Sequence, residues 1–388
     1  MFLADETYQI LTPEGKVVGD LPDLSADHMV DFYRWMVLGR TFSDRMVALQ
    51  RQGRMGTFAP LNGQEAASVG LAAPLQPKDW LVGSYRETLS YLVKGVPILA
   101  LLQQWGGDIP DNYTRQAHCL PFQVVLGNQM LHGVGLAQAL KYKEEPQAVV
   151  AVCGDGASSE GDFSEALNLA GVFKAPIVFV VQNNGWAISV PRHQQTAAQY
   201  IAHRGPGFGM PGYVVDGNDI LAVYQLVSDS LARARAGDGP VLIEAITYRL
   251  GAHTTADEPK KYRPEAEWQA WLERDPMLRY RKFLMERDML TEDEDKRLRE
   301  EVAAEIQATV QTYEALPPQH PGQLFDLVYA EMPPQLKRQR EMLLREIEYP
   351  EPWPRPQPET PMPAIKYLDM PSQPQPQRDE QTAKLALA

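Results

Sequence analysis

The chain has 388 residues, of which 44% are hydrophobic and 22% are charged. This composition is typical of a globular protein and excludes a wholly disordered, collagen-like or membrane-embedded chain. The net charge is −13, because 50 Asp and Glu residues outnumber 37 Lys and Arg residues. That sign argues against a protein that binds nucleic acid or a membrane surface by neutralising phosphates, so we expect neither as a partner.

Cysteine content and the N-terminal sequence indicate a cellular compartment. The two cysteines, Cys119 and Cys153, are too few for a disulfide framework. The N-terminal residues include acids at once and lack the basic start of a targeting signal. No apolar run reaches the ~18 residues of a membrane span. We therefore expect a chain that works in a reducing cytoplasm.

The first part of the chain is predicted to be mainly helical. Residues 1–24 form an extended segment, and a helix follows Ser25, a favourable N-cap residue, and ends near Gly53. Two further helical stretches are predicted, one after residues 62–65 and one over residues 88–105.

The middle of the chain alternates apolar runs with helical patterns. The runs cover residues 148–153, 177–181, 213–215 and 241–246, and the helices cover 159–173 and 220–236. Strand, helix and strand joined by short connections predict a parallel sheet. Because the runs are continuously apolar, both faces of that sheet should be covered. The predicted fold class is α/β, a doubly wound, mostly parallel sheet with helices on both faces, followed by a helical C-terminal region.

The C-terminal part changes character twice. After Tyr262 the sequence is charged and helical, with a long helix predicted over 292–316, and ten prolines then fall within residues 350–376. Alternating prolines cannot form helix or sheet, so the tail should be extended. The predicted domains are an N-terminal segment (1–24), an α/β domain carrying the site (25–263), a helical extension (264–346) and a disordered Pro-rich tail (347–388).

Polar residues follow two of the apolar runs. Asp155 comes directly after the first run and Asn184 after the second. The carboxyl ends of neighbouring parallel strands share one edge of a sheet, where such sheets bind ligands. Asp155, the Asn184 amide and a main-chain carbonyl such as that of Trp186 are oxygen ligands suited to Mg²⁺ beside phosphate. Gly156 and Ala157 precede a helix, whose free N–H groups favour anions. The pattern predicts a magnesium and diphosphate site.

Either motif alone is weak evidence. Gly-Asp-Gly at 154–156 is an ordinary turn, and Asn-Asn-Gly at 183–185 is a common start of a loop. Their placement after two apolar runs that are separated by one helix favours the ligand site.

The same residues resemble a known family. Gly-Asp-Gly followed after a short spacer by Asn-Asn is similar to the thiamin diphosphate signature of the alpha subunit of the decarboxylating component of 2-oxo acid dehydrogenase complexes. Further blocks in family order occur at residues 51–54, 63–66, 84–87, 215–219, 248–249, 251–254 and 262–263. The resemblance covers roughly residues 25–345.

The resemblance implies thiamin diphosphate and Mg²⁺ as cofactors and gives roles to single residues. The implied cofactor-binding residues are Tyr85, Arg86, Leu126, Asp155, Gly156, Ala157, Asn184 and His253. The implied magnesium ligands are Asp155, Asn184 and the carbonyl of Trp186, where relatives often carry Tyr. Tyr85 and Arg86 would hold the diphosphate, and the backbone of Leu126 would meet the aminopyrimidine. His253 would be the catalytic histidine, on a mobile loop.

For three acidic residues the sequence allows either a functional or a purely structural role. Asp162 and Glu165 lie three apart on one helix face; in relatives such acids line an acidic channel between two active sites, and the alternative is a solvated helix start. Glu65 belongs to the site or only orders the N-terminus of its own helix.

The reaction implied by the resemblance is oxidative decarboxylation of a 2-oxo acid with acyl transfer to a lipoyl group. The implied partners are a beta subunit, which supplies a catalytic glutamate in an α₂β₂ heterotetramer, and a lipoyl-bearing acyltransferase core. Residues 58–60 and 179–189 favour pyruvate as substrate. Residues 204–207 and the length of the His253 loop also resemble branched-chain enzymes.

Two other classes of protein fit the sequence less well. A dinucleotide-binding oxidoreductase would use the G-x-G-x-x-G at 207–212, but this motif precedes a predicted strand and has Pro211 where a helix should begin. A catalytically inactive scaffold would bind partners through its C-terminal part, and the intact set of predicted site residues argues against it.

Overall fold

The computed structural model describes residues 6–108, 113–326 and 328–348. The chain divides into two compact units, residues 1–317 and 318–388. The first unit contains the sheet and the helices packed on it. Of the predicted tail (347–388), Ile347 and Glu348 belong to the helix Pro334–Glu348, and residues 349–388, with all ten prolines, lie outside the described residues. The predicted division into functional domains stays a prediction.

One sheet of six strands forms the centre of the first unit. Its strands are β1 (Thr7–Tyr8), β2 (Trp80–Val82), β3 (Val149–Gly154), β4 (Ile177–Asn183), β7 (Gly212–Asp216) and β8 (Val241–Ile246). All neighbours run parallel, in the order β1-β7-β8-β4-β3-β2. A short antiparallel hairpin, β5 (Trp186–Ala187) and β6 (Val190–Pro191), follows β4. The predicted α/β class with a mostly parallel sheet is confirmed.

Helices account for most of the remaining described structure. In the first unit they are α1 (Ala26–Arg51), α2 (Glu65–Ala72), α3 (Thr88–Val93), α4 (Ile98–Gly106), α5 (Tyr113–Gln116), α6 (Asn128–Tyr142), α7 (Gly161–Phe173), α8 (Arg192–Gln195), α9 (Arg204–Gly207), α10 (Ile220–Arg235), α11 (Glu265–Leu272), α12 (Pro276–Glu286) and α13 (Glu292–Glu314). The second unit contains α14 (Gln323–Asp326) and α15 (Pro334–Glu348). As predicted, Ser25 caps α1, its hydroxyl accepting from the His28 N–H.

The strands explain why helices cover both faces of the sheet. Side chains alternate along a strand, and in β3 Val150 and Val152 join the core that includes α1 and α10. Val149, Ala151 and Cys153 point the other way, into a second core that includes α6 and α7. A continuous apolar run therefore requires cover on both sides, as the sequence indicated.

The structure differs from the predicted elements in two places. The helix predicted over 88–105 is two helices, α3 and α4, because Gly95 has a φ of +103° and Pro97 cannot continue a helix. The helix predicted from residue 159 is preceded by a 3-10 turn at Asp155–Ser159 and begins at Gly161. The G-x-G-x-x-G motif ends at the start of β7, so it does not follow a strand and open a helix as dinucleotide binding requires.

The topology sets the position of the site. β3 and β4 are direct neighbours, with Gly154 paired to Gln182 at their carboxyl ends. Asp155 and Asn184 therefore emerge at the same edge of the sheet. In the described ranges, no helix has both the length and the apolar character to cross a bilayer.

Candidate active site

A cavity of about 140 Å³ lies at this edge of the sheet. Its walls contain every cofactor-binding residue that the sequence predicted, together with Trp186: Tyr85, Arg86, Leu126, Asp155, Gly156, Ala157, Asn184, Trp186 and His253. Six further residues complete the lining: Gln64, Ser84, Glu87, Gly154, Ala187 and Ile188. The structure thus brings the predicted set together from five separate stretches of the chain.

Asp155 is the buried carboxylate of the cavity. It is 1% exposed, and each of its oxygens accepts one hydrogen bond, Oδ1 from the Asn184 backbone N–H (3.3 Å) and Oδ2 from Gln195 Nε2 (2.7 Å). Burial raises the pKa of Asp155, and the Gln195 amide acts in the opposite direction. The two contacts orient the carboxylate and leave each oxygen with further capacity to accept or to ligate.

Asn184 lies beside Asp155 and presents its amide oxygen. Its Nδ2 donates to Gln64 Oε1 (3.0 Å), and its Oδ1 accepts from the Trp186 backbone N–H (3.2 Å). The amide nitrogen of Asn184 is therefore committed to Gln64. Carboxylate and amide oxygens at one point are the ligand types that Mg²⁺ takes.

Trp186 is anchored on both its backbone and its ring. Its carbonyl accepts from Arg249 Nη1 (3.3 Å), and its indole Nε1 donates to Glu267 (2.9 Å). The ring packs against Tyr262 with centroids 5.4 Å apart. A main-chain carbonyl keeps the same position whether the side chain is Trp or Tyr, so the difference from relatives does not remove the predicted ligand.

Arg86 connects two walls of the cavity. One Nη donates to the Pro60 carbonyl, and the other donates to the His253 carbonyl (3.0 Å) and lies 3.2 Å from His253 Nδ1. The guanidinium stands 5.6 Å from the centre of the Tyr85 ring. This places a fixed positive charge in the cavity that Asp155 also lines, where a bound diphosphate would contact it.

His253 is held as a neutral imidazole. Burial, together with the charges of Arg86 and Arg249, lowers its pKa to about 4, and Asp257 opposes the shift. Nδ1 faces N–H groups of both arginines, at 3.2 and 3.4 Å, so Nδ1 accepts and the ring proton resides on Nε2. The Tyr85 ring packs edge-on against the imidazole at 6.2 Å.

Polar contacts also fix the loop that carries His253. Asp257 accepts from the His253 backbone N–H (2.7 Å) and from the Tyr262 hydroxyl (2.6 Å). Arg249 is fully buried and donates to Tyr262 (2.7 Å) and to the Ile188 carbonyl (2.7 Å). In this structure the loop is therefore tied to the β5–β6 hairpin.

One side of the cavity is apolar and exposed. Leu126 is 40% exposed and Ile188 is 54% exposed. Val124 and Val125 continue this exposed surface next to Leu126. An apolar rim around a polar cavity is typical of a surface that another molecule covers.

The three acidic residues lie outside the cavity lining. Asp162 and Glu165 are exposed on the first turns of α7. Glu65 is fully buried, pairs with Arg40 and accepts from the Gly63 backbone N–H (2.9 Å). Burial raises its pKa, and Arg40 opposes that shift. Glu65 thus orders the N-terminus of α2, and the acidic channel stays a prediction.

Sequence reasoning missed four supporting residues. Gln64 and Glu87 lie inside blocks that the family resemblance had marked, so a signal for them existed. Gln182 and Gln195 could not be recognised as supporting residues from the sequence, because their contacts with Gln64 and Asp155 depend on how the chain folds.

Comparison with known proteins decides the family. The sequence model described as "Dehydrogenase E1 component" matches residues 33–322. This chain belongs to that family. It is an alpha subunit of the E1 component of a 2-oxo acid dehydrogenase, and the family is dependent on thiamin diphosphate.

Similar full-length proteins carry alpha-subunit names. The chain is 44% identical to "3-methyl-2-oxobutanoate dehydrogenase subunit alpha" of Mycobacterium tuberculosis over 356 residues, which are 88% of this chain and 94% of that protein. It is 40% identical to "Pyruvate dehydrogenase E1 component subunit alpha" of Acholeplasma laidlawii, over 84% of this chain and 96% of that protein. The Staphylococcus aureus protein of the same name is 38% identical, over 87% and 92%.

The residues of the cavity fit the cofactor of this E1 alpha family. A buried carboxylate and the amide oxygen of Asn184 are held close together in the lining, and a buried arginine lines the same cavity. These are the donors that a divalent cation and a diphosphate need.

Proposed function

We propose that this chain binds thiamin diphosphate with Mg²⁺ in the described cavity and, with a beta subunit, decarboxylates a 2-oxo acid. The observation that carries the proposal is the meeting of Asp155, Asn184 and Arg86 in one cavity at the carboxyl edge of β3 and β4. Bound thiamin diphosphate supplies the nucleophilic carbon and accepts the electrons that CO₂ leaves behind.

Each wall of the cavity has a separate task in this proposal. Asp155, Asn184 and the Trp186 carbonyl would ligate Mg²⁺, and Gly156 and Ala157 line the same wall. Tyr85 and Arg86 would hold the diphosphate from the opposite side. The backbone at Leu126 would meet the aminopyrimidine. The binding energy thus comes from groups that the fold already holds in place.

His253 would supply a hydrogen-bond donor to the reacting centre. Because Nδ1 accepts from the two arginines, Nε2 keeps its proton and is free to donate toward the cavity. A neutral imidazole can hold this role across the physiological pH range, since its pKa is lowered to about 4.

A beta subunit completes the active site in our proposal. The family resemblance assigns it the glutamate that activates the aminopyrimidine, in an α₂β₂ assembly that passes the acyl group to a lipoyl-bearing acyltransferase core. The exposed apolar rim of the cavity, at Val124, Val125, Leu126 and Ile188, supports a partner on this side.

We propose pyruvate as the first candidate substrate, because residues 58–60 and 179–189 resemble those of pyruvate enzymes. A second candidate, 3-methyl-2-oxobutanoate, is favoured by the 44% identity to an alpha subunit named for it and by residues 204–207. The ratio of kcat/KM for the two acids, measured on the reconstituted enzyme, decides between them.

Co-expression tests the proposed function directly. The purified chain alone should not decarboxylate either 2-oxo acid, and co-expression with a beta subunit should give an active α₂β₂ assembly. Turnover by the chain alone would contradict the shared active site.

Calorimetry separates the enzyme from the alternative of an inactive scaffold. Thiamin diphosphate and Mg²⁺ should release or absorb heat on titration into the assembly. An assembly that gives no heat and no turnover would favour the scaffold.

A further inference from the structure

A row of buried side chains, which we call the amide relay, joins Asn184 to a carboxylate on another wall of the cavity. Asn184 Nδ2 donates to Gln64 Oε1 (3.0 Å), Gln64 Nε2 donates to Gln182 Oε1 (2.8 Å), and Gln182 Nε2 donates to Glu87 Oε1 (3.4 Å). All four residues are at most 6% exposed. The relay is therefore largely shielded from bulk water.

The carboxylate sets the direction of every bond in the amide relay. Ionised carboxylate oxygens accept hydrogen bonds and cannot donate them, whereas an amide has one accepting and one donating end. Gln182 must turn its nitrogen to Glu87 and its oxygen to Gln64. Gln64 must then turn its oxygen to Asn184. A reversal at a single amide would place two donors or two acceptors face to face in a buried site, at a cost of about 1–3 kcal/mol.

The second oxygen of Glu87 is also occupied by a donor. It accepts from the Ser84 backbone N–H (2.8 Å). Burial raises the pKa of Glu87, while the Ser84 N–H and the charge of Arg86 act against that shift. The carboxylate is thus placed to accept on both oxygens.

The end of the amide relay is the group that matters for a cation. Because Nδ2 of Asn184 donates to Gln64, its Oδ1 is the amide atom that remains to ligate a cation. The Trp186 N–H donates to this oxygen and so favours the same orientation of the amide. Only the oxygen of an amide can ligate Mg²⁺. The direction of the relay therefore decides whether Asn184 offers a ligand or an N–H.

We propose that Glu87 is a positioning residue that, through Gln182 and Gln64, keeps the Asn184 amide oxygen turned toward the bound Mg²⁺. The inference rests on the proposed function, because it presumes a cation at Asp155 and Asn184. Glu87 acts without touching that cation. Groups behind metal ligands typically change metal affinity by 10–100-fold when they are removed.

The test measures cation affinity on the assembly of this chain with its beta subunit in the presence of thiamin diphosphate, with Mn²⁺ as a paramagnetic probe. Glu87→Gln, which removes the obligate acceptor, should weaken Mn²⁺ binding by about 10–100-fold. Gln64→Leu, which cuts the relay at its other end, should cause the same loss. Adding Glu87→Gln to Gln64→Leu should cause no further loss, since both changes act through one contact.

A matched control removes a different buried carboxylate. Glu244 on β8 is fully buried, and its carboxylate accepts from Asn183 Nδ2 (2.7 Å) and the Ala202 N–H (2.9 Å), neither of which belongs to the relay. Glu244→Gln should leave Mn²⁺ affinity unchanged. Thermal midpoints and assembly size, recorded for each variant, separate loss of folding from loss of binding.

An exchange of the two side chains gives the decisive result. In the double variant Gln64→Glu, Glu87→Gln the total charge is kept, Gln182 can reverse, and position 64 still accepts from Asn184. Mn²⁺ affinity should return to near that of the parent protein, because every donor in the relay again meets an acceptor. No loss in Glu87→Gln, or no recovery in the exchange variant, overturns the relay. A parent assembly that binds no Mn²⁺ instead overturns the proposed function.

Discussion

At the scale of single residues, His253 shows how neighbours set a chemical state. The imidazole has two arginines facing Nδ1 and a backbone N–H tied to Asp257. A positive charge on the ring would repel both arginines, so the neutral form is favoured. The sequence alone could single out this histidine because it follows β8. Its contacts with the two arginines could not be predicted, because they depend on the fold of the loop.

The pH behaviour of His253 follows from this arrangement. Its pKa is lowered to about 4 in the folded chain from an ordinary value near 6.5. The unfolded chain therefore binds the proton more readily, so the stability that this group contributes is complete above about pH 6.5 and is lost as pH falls toward about 4.

Nuclear magnetic resonance of ring-labelled histidine checks the state of His253. The ring signal that disappears in His253→Gln should titrate with a midpoint near pH 4. A midpoint near 6.5, the value of an unperturbed histidine, would show that the arginines do not restrain the ring.

Asp155 is the residue on which the proposed magnesium site depends most. Asp155→Ala removes the buried carboxylate and leaves the Gln195 amide without its 2.7 Å acceptor. We expect the reconstituted assembly to lose thiamin diphosphate on gel filtration. As a control, Asp162→Ala changes an exposed acid beyond the cavity lining and should retain the cofactor. Equal retention by both variants would contradict the magnesium assignment.

At the scale of elements, the sequence predicted long, regular features and missed short ones. β3 and β4 were evident because their residues are apolar on both faces, and the carboxyl-edge position of Asp155 and Asn184 followed. β1 and β2 have only two and three residues, too few to show a pattern. The break between α3 and α4 was missed although Gly95 and Pro97 mark it. Contacts such as Gln195 to Asp155 join distant residues and have no local signature.

Helix α7 gives an element-scale prediction. A Cβ at Gly171 would lie 2.1 Å from the Phe208 carbonyl oxygen, so the segment before β7 packs directly on this helix. Gly171→Ala should lower the free energy of unfolding by about 1–3 kcal/mol, as overpacking does. Urea denaturation of the chain measures this change.

The neighbouring helix α6 supplies the matched variant. A Cβ at Gly135 meets no described atom within 4 Å, so Gly135→Ala should raise the free energy of unfolding by about 0.5–1 kcal/mol through helix propensity alone. A loss of stability in both variants would show that close packing against Phe208 is not the reason why Gly171→Ala destabilises the chain.

At the scale of the whole molecule, the cavity combines a polar wall with an exposed apolar rim. The polar wall of the cavity is built and supported within the chain, whereas its rim is apolar and exposed. The family resemblance predicted a shared active site, and the structure adds which segments face outward: residues 124–126 and Ile188. Their exposure could not be read from the sequence, because apolar residues are usually buried.

The exposed apolar rim predicts which mutations in this chain should weaken binding of a partner. Val125 is 64% exposed beside the cavity, and Val18 is 61% exposed in the N-terminal segment. Val125→Asp should reduce the yield of assembly with the beta subunit in co-purification, while the unfolding free energy of the chain changes by less than about 0.5 kcal/mol. Val18→Asp should assemble normally. Normal assembly of Val125→Asp would place the beta subunit elsewhere.

The hydrogen bonds around Asn184 also bear on the chemical ageing of the protein. Asparagine is a thermolabile residue. In its deamidation the backbone nitrogen of the next residue, here Gly185, attacks the side-chain carbon and the amide is lost. Here the Gly185 N–H donates to Asn183 Oδ1 (3.2 Å), while Gln64 and the Trp186 N–H hold the Asn184 side chain at both ends. The attacking nitrogen and its target are thus kept from the geometry of ring closure. The contacts that hold the Asn184 amide in the folded protein therefore also disfavour its conversion into an acid, and unfolding removes them.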